Sequence, residues 1–163
     1  MRNKLQRLFY FLSGLCFFLW WGGFTFYAAF VVSTGMNVLG NHVLMGFITQ
    51  HVTVKLNIIL VVVLAVNLTY LFAYKSALPF KLWKLIVINL ASMAFLLLGL
   101  FLQHSYMDTF LDTETHKLIN ETYFYKLHRV YLLTSSVMWI QGIVHIHWFL
   151  KIKSPESAQK PRF

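Results

Sequence analysis

Four long apolar stretches, residues 8–32, 52–73, 85–102 and 130–150, set the limits on what this chain can fold into. A helix rises about 1.5 Å per residue, so about 20 apolar residues cover the ~30 Å hydrocarbon core of a bilayer. A soluble domain of this size would interrupt such runs with charged faces. This one barely does: 58% of its residues are hydrophobic and 12% charged. The expected fold class is all-α, a polytopic membrane four-helix bundle. Its helices are expected at about 8–33, 51–73, 84–106 and 121–152, in a single bundle over 1–153, with a short polar cytoplasmic tail over 154–163.

Other features narrow the class. At 163 residues the chain has no room for a soluble domain beside the bundle. A net charge of +9 would suit nucleic acid, but the basic residues flank apolar segments and form no stripe with base-stacking aromatics. Nucleic acid is therefore excluded as a partner, and the lipid bilayer with its anionic headgroups is the expected one. Cys16 stands alone inside the first apolar run, which rules out a disulfide framework, a CxxC redox pair and any all-cysteine metal site. Arg2, Lys4 and Arg7 resemble the start of a secretory signal. The apolar run behind them is about 25 residues, however, against about 7–15 for a cleaved signal, so a retained first transmembrane helix is expected.

Positive residues predict orientation. Arg2, Lys4 and Arg7 precede the first helix, Lys75, Lys81 and Lys84 lie between the second and third, and Lys151, Lys153, Lys160 and Arg162 follow the fourth. In a four-span topology these fall on one side. Segment 107–125, with Asp108, Asp112, Glu114 and Glu121 against Lys117, falls on the other. The positive-inside rule places both termini in the cytoplasm. Among the connections, 34–50 with Gly35, Gly40 and Gly46 is expected to be a loose or re-entrant loop. Pro79 breaks the chain beside an interfacial Trp83, Asp112 or Thr113 caps a short helix before Lys117, and Asn120 caps the last helix.

Polar side chains at membrane depth call for an explanation. Gln50, His51, Lys55 and Asn57 stand at the non-cytoplasmic end of the second helix, Gln103, His104 and Asp108 at that of the third, and Tyr125, His128, Arg129 and Tyr131 at that of the fourth. Three helices thus bring a histidine to one depth. His51 and Lys55 share a helical face, as do His104 and Asp108, and His128 and Tyr131. His51, His104, His128 and Asp108 are candidates for a transition metal, or the histidines for haem b. Lys55, Asn57 and Arg129 are candidates for an anionic ligand or, with Lys55 and Asn57 at its centre, an ion or proton path. Against these stands the plainer reading that such groups sit in headgroups or snorkel. His145 and His147 point about 200° apart on a helix and are read as marking the cytoplasmic interface beside Trp148. His42 and His116 are read as loop residues. Asn67, Asn89 and Gln141 are expected to bond between helices, and Gly22-Gly23 to mark close packing.

The strings Trp20-Trp21-Gly22-Gly23-Phe24-Thr25-Phe26-Tyr27, Gly46-Phe47-Ile48-Thr49-Gln50-His51-Val52-Thr53 and Phe124-Tyr125-Lys126-Leu127-His128-Arg129-Val130-Tyr131 resemble a family of small bacterial inner-membrane proteins with four helices and a domain of unknown function. That resemblance implies the fold and the bacterial cytoplasmic membrane, and it carries over no catalytic residue. No HExxH, GxSxG, P-loop or CxxCH pattern occurs. The expected function is that of an accessory or interaction protein, not an enzyme, which self-associates or joins other membrane subunits and has a polar His/Lys pocket at its outer face. The alternatives are a haem b or metal-binding electron-transfer protein and a small transporter or proton path.

Overall fold

Long apolar runs with few prolines leave each backbone N–H and C=O to its own helix. The computed structural model, which describes residues 2–112 and 117–152, is accordingly almost all helical. Helix α1 (Arg2–Phe26) runs through a π-helical turn (Tyr27–Val31) directly into α2 (Val32–Leu39). Then follow α3 (His42–Ala73), α4 (Phe80–Asp108) and α5 (Glu121–Leu150). Three stretches, Lys4–Leu39, His42–Ala73 and Phe80–Asp108, are long and apolar enough to cross a membrane.

The long helices pack α1 on α3, α3 on α4, α4 on α5, and α5 back on α1. Tyr10 stacks on Phe149 with ring centroids 4.8 Å apart. Both described ends of the chain therefore lie at one end of the molecule, here called the terminal end, and the α2–α3 turn lies at the distal end. Leu60, Ile86, Leu90, Met93 and Leu100 are fully buried at the centre. Leu19, Phe95 and Leu133 are each at least 66% exposed, an outward apolar surface that suits lipid better than water.

Several connections differ from the sequence expectation. Residues 34–50 form no loose loop. Gly40, at φ 57°, ends α2 in the left-handed conformation, with its N–H on the Met36 carbonyl. The Asn41 side chain then accepts from the N–H groups of Val43 and Leu44 at 2.8 and 3.2 Å and starts α3. Helix α3 begins at His42 instead of near 51, and Gly46 lies inside it. Helix α4 starts directly after Pro79, at Phe80. Trp83 fastens the preceding turn, donating from Nε1 to the Leu71 carbonyl at 3.1 Å while Lys75 Nζ sits 4.4 Å from its ring centroid. Leu111–Asp112 pairs antiparallel with Lys117–Leu118, and the short helix expected between them falls outside the described residues. Asn120 caps α5, accepting from Tyr123 N–H at 3.1 Å. The expectations for Thr113, Glu114, His116 and the tail 154–163 fall outside the described residues.

Buried polar groups stitch the helices together. Ser13 Oγ donates to Asn67 Oδ1 at 2.8 Å, and His145 Nε2 meets the same oxygen at 3.2 Å, joining α1, α3 and α5. Asn89 donates to the Gln141 carbonyl and Gln141 to Ser92 Oγ, joining α4 to α5. His145 is thus not interfacial. It is 1% exposed, with its ring centroid 4.0 Å from that of Phe17, because α1 and α3 extend alongside α5 past this level. His147 is exposed, as the half-turn spacing requires. Close packing is also displaced from the expected Gly22-Gly23: a Cβ at either would meet nothing within 4 Å. The crowded glycines are Gly14, against Phe149, Gly35, against Met45, and Gly142, where a Cβ would come 2.5 Å from Trp21 Cδ1.

Candidate functional site

At the distal end the helices enclose a cavity of about 350 Å³. The α1–α2 segment contributes Phe24, Tyr27, Ala28, Val32 and Met36, and the first turns of α3 contribute His42, Met45, Gly46, Thr49, Gln50 and Thr53. His104, Met107 and Asp108 come from α4, and Phe124, Tyr125, His128, Tyr131, Leu132 and Ser135 from α5. Leu111 and Leu118 of the small ladder close one side. Helix pitch places this wall in depth: from Lys84 to His104 along α4 is about 30 Å, the thickness of a bilayer core. The polar wall stands at that distance from the basic terminal end, with apolar Phe24, Leu132 and Ala28 among its neighbours.

A compact knot of hydrogen bonds holds α3 to α4 beside the cavity. Gln50 Nε2 donates to Asp108 Oδ1 at 2.7 Å. His104 Nδ1 lies 3.2 Å from Asp108 Oδ2, and its Nε2 lies 3.2 Å from the Gln50 carbonyl oxygen. Two oxygens, one from Asp108 and one from the Gln50 backbone, thus flank the ring and fix its orientation. Asn57 donates to the Tyr131 hydroxyl at 3.3 Å, and Tyr131 meets the His104 ring edge-on at 6.2 Å. The His128 ring lies parallel to that of Phe124, 6.1 Å away. Tyr27, 8% exposed, has a buried hydroxyl with no hydrogen-bond partner among the described residues.

Of the residues singled out from the sequence, His104, Asp108 and His128 line this cavity, and Asn57 is buried next to it through Tyr131. His51, Lys55 and Arg129 are exposed, and none of them lines it. The cause is helical register. Gln50 is the residue that α3 turns toward α4, and His51 follows it by about 100°, taking Lys55 with it one turn later. Arg129 follows His128 in the same way. The expected convergence of His51, Lys55, His104 and His128 therefore reduces to His104 and His128. Lys55 is exposed about 27 Å along α3 from Ala73.

The metal candidates are not assembled. Among the described residues no group of three or more His, Cys, Asp or Glu could hold a metal ion. His51 faces outward, and both His104 nitrogens are engaged by Asp108 and Gln50, so axial ligation of a haem by His104 would require breaking the knot. Sequence reasoning missed His42 and Tyr27. Gly40-Asn41, a helix-ending glycine followed by a capping asparagine, is the signal that would have put His42 on a helix. The π-turn that begins at Tyr27 has no comparable signature. Compared with known proteins, the chain matches no family model, no curated protein and no solved structure.

Proposed function

We propose that this chain is a multi-pass membrane protein that holds a small amphipathic molecule in its distal cavity and acts as a binding or accessory protein, not as a hydrolase. The observation that carries this reading is the cavity itself: mainly apolar walls with a few convergent polar groups, the usual make-up of a small-molecule site. Hydrolysis needs a nucleophile activated by an oriented base. Among the described residues no serine or cysteine is hydrogen-bonded to a histidine. Cys16 lies outside the cavity lining. Helix α5, with 30 residues, is long enough to be a fourth span, and its extra polar groups face other helices at Gln141 and His145. The cytoplasm then lies at the terminal end, with Lys4, Arg7, Lys75, Lys81, Lys84 and Lys151. The resemblance noted above favours the bacterial inner membrane.

Two measurements test this. In a Cys16→Ser background, Ile119→Cys is expected to label with an impermeant thiol reagent in intact cells, and Ser76→Cys only after permeabilisation. Equal labelling of both would overturn the topology. Native mass spectrometry of detergent-purified protein should show a retained small molecule. That molecule should be lost in Gly46→Trp, which adds bulk at a cavity-lining position where a Cβ meets nothing within 4 Å. Identical spectra for the two proteins would remove the binding role.

A further inference from the structure

The polar groups of the cavity also discriminate among possible occupants, and this inference rests on the binding role proposed above. Among the described residues no Lys or Arg lines the wall; Lys55, Lys126 and Arg129 are exposed outside it. An anionic head, such as a phosphate or carboxylate, would enter without a permanent cation to meet it and close to the Asp108 carboxylate. A cationic head would find both Asp108 oxygens already bonded to Gln50 and His104. Two neutral donors on the wall are left to a ligand, the hydroxyls of Tyr27 and Tyr131. The Tyr27 hydroxyl is buried and has no partner among the described residues. The Tyr131 hydroxyl, on the wall of the same cavity, receives Asn57 and keeps its own proton for a further acceptor. Two such donors suit a head that carries a carbonyl oxygen.

Two further features give the head a shape. The parallel His128 and Phe124 rings, with Tyr125 and Phe24, form an aromatic lining that favours a flat ring over a branched or glycerol head. The π-turn Tyr27–Val31 sets Tyr27 and Ala28 into the wall, and such wide turns recur at functional sites despite their rarity. The lining also includes Met36, Met45 and Leu132, apolar side chains that suit a hydrocarbon tail. We propose that the cavity binds a neutral lipid-soluble quinone, with a ring carbonyl accepting from Tyr27 and Tyr131 and the tail along the methionines. Binding alone is proposed, with no electron transfer.

The test uses the full chain in nanodiscs, titrated with short-tailed ubiquinone-2 and read by quenching of its tryptophans. Wild-type protein should quench saturably. Tyr27→Phe, whose lost hydroxyl has no protein partner, should keep the melting temperature and weaken binding about tenfold, the worth of one good hydrogen bond. Gly46→Trp should abolish saturation. Linear quenching that is equal in all three proteins reports partition into lipid and overturns the proposal, as does tighter binding of dodecanoate than of ubiquinone-2. If native mass spectrometry still finds another molecule that is lost in Gly46→Trp, the quinone assignment alone falls. If nothing is retained and nothing saturates, the binding role falls with it.

Discussion

Gly142→Leu is expected to unseat the seam between α1 and α5 and to destabilise the protein by about 2–4 kcal/mol, read as a large drop in the thermal midpoint in detergent. A Cβ alone at this position would lie 2.5 Å from Trp21 Cδ1 and 2.9 Å from Trp21 Nε1. The indole would have to move, and it is tied down. Its Nε1 donates to the Trp139 carbonyl at 3.2 Å, and the two indoles stack at 5.3 Å. Trp139 in turn donates to Thr25 Oγ1 at 2.8 Å, so the displacement reaches three side chains. Stacking and one hydrogen bond are together worth about 1–3 kcal/mol, and the overpacking strain adds to that. Helix propensity opposes the loss by about 1 kcal/mol, since leucine is a better helix former than glycine. Gly22→Leu and Gly23→Leu provide the contrast. Both positions are open and exposed, so each should stay within about 0.5 kcal/mol of the parent or gain slightly. Equal loss at Gly22 and Gly142 would show that the seam does not run between Gly142 and Trp21.

That contrast also shows where sequence reasoning loses resolution. Adjacent glycines beside two tryptophans are a reasonable packing signal, but a helix has several faces, and the pattern does not say which of them meets a neighbour. Gly142 lies alone between Gln141 and Ile143 and is invisible until α5 is set against Trp21. The same limit governed the site. Depth along each helix was legible, because about 20 residues of rise separate the basic end from the polar level. So were three side chains obliged to find partners in an apolar setting: Asn67, Asn89 and Gln141 each bond a different helix, and Asn57, read instead as a ligand candidate, does the same through Tyr131. Azimuth was not legible, because all four helices carry apolar residues around most of their circumference and no single moment points to the centre. A one-residue step therefore separates Gln50, bonded to Asp108, from exposed His51, and cavity-lining His128 from exposed Arg129. Helix ends depended on recognising caps. Asn120 is legible as a cap and is one, whereas Asn41 caps α3 inside a glycine-containing stretch that looks like a loop.

The deepest polar layer gives the second large effect, because three helices share one asparagine there. Asn67 Oδ1 receives Ser13 Oγ and faces His145 Nε2, while its Nδ2 donates to the Val63 carbonyl at 2.9 Å and to the Ser13 carbonyl at 3.3 Å. With Nε2 donating to Asn67, His145 holds its remaining lone pair on Nδ1, which is buried without a partner among the described residues. Asn67→Leu would leave the Ser13 hydroxyl and His145 Nε2 unpaired as well, both in residues at most 1% exposed. Individual hydrogen bonds in a bilayer are worth only about 0.6–2 kcal/mol, but orphaned buried groups add a desolvation penalty, so a loss of about 2–3 kcal/mol is expected. The double variant Asn67→Leu/His145→Phe removes the orphan together with its partner. Phenylalanine at 145 keeps the stack on Phe17 and Phe149, so the double variant should recover at least about 1 kcal/mol of the single loss in a thermal unfolding cycle. Additive losses would mean that Asn67 and His145 do not act on each other. Recovery would identify the layer as a packing device that fixes how α1, α3 and α5 align. The Tyr27 hydroxyl, buried on the wall of the distal cavity without a partner among the described residues, would then stand apart from this layer as the polar group on which the proposed binding role rests.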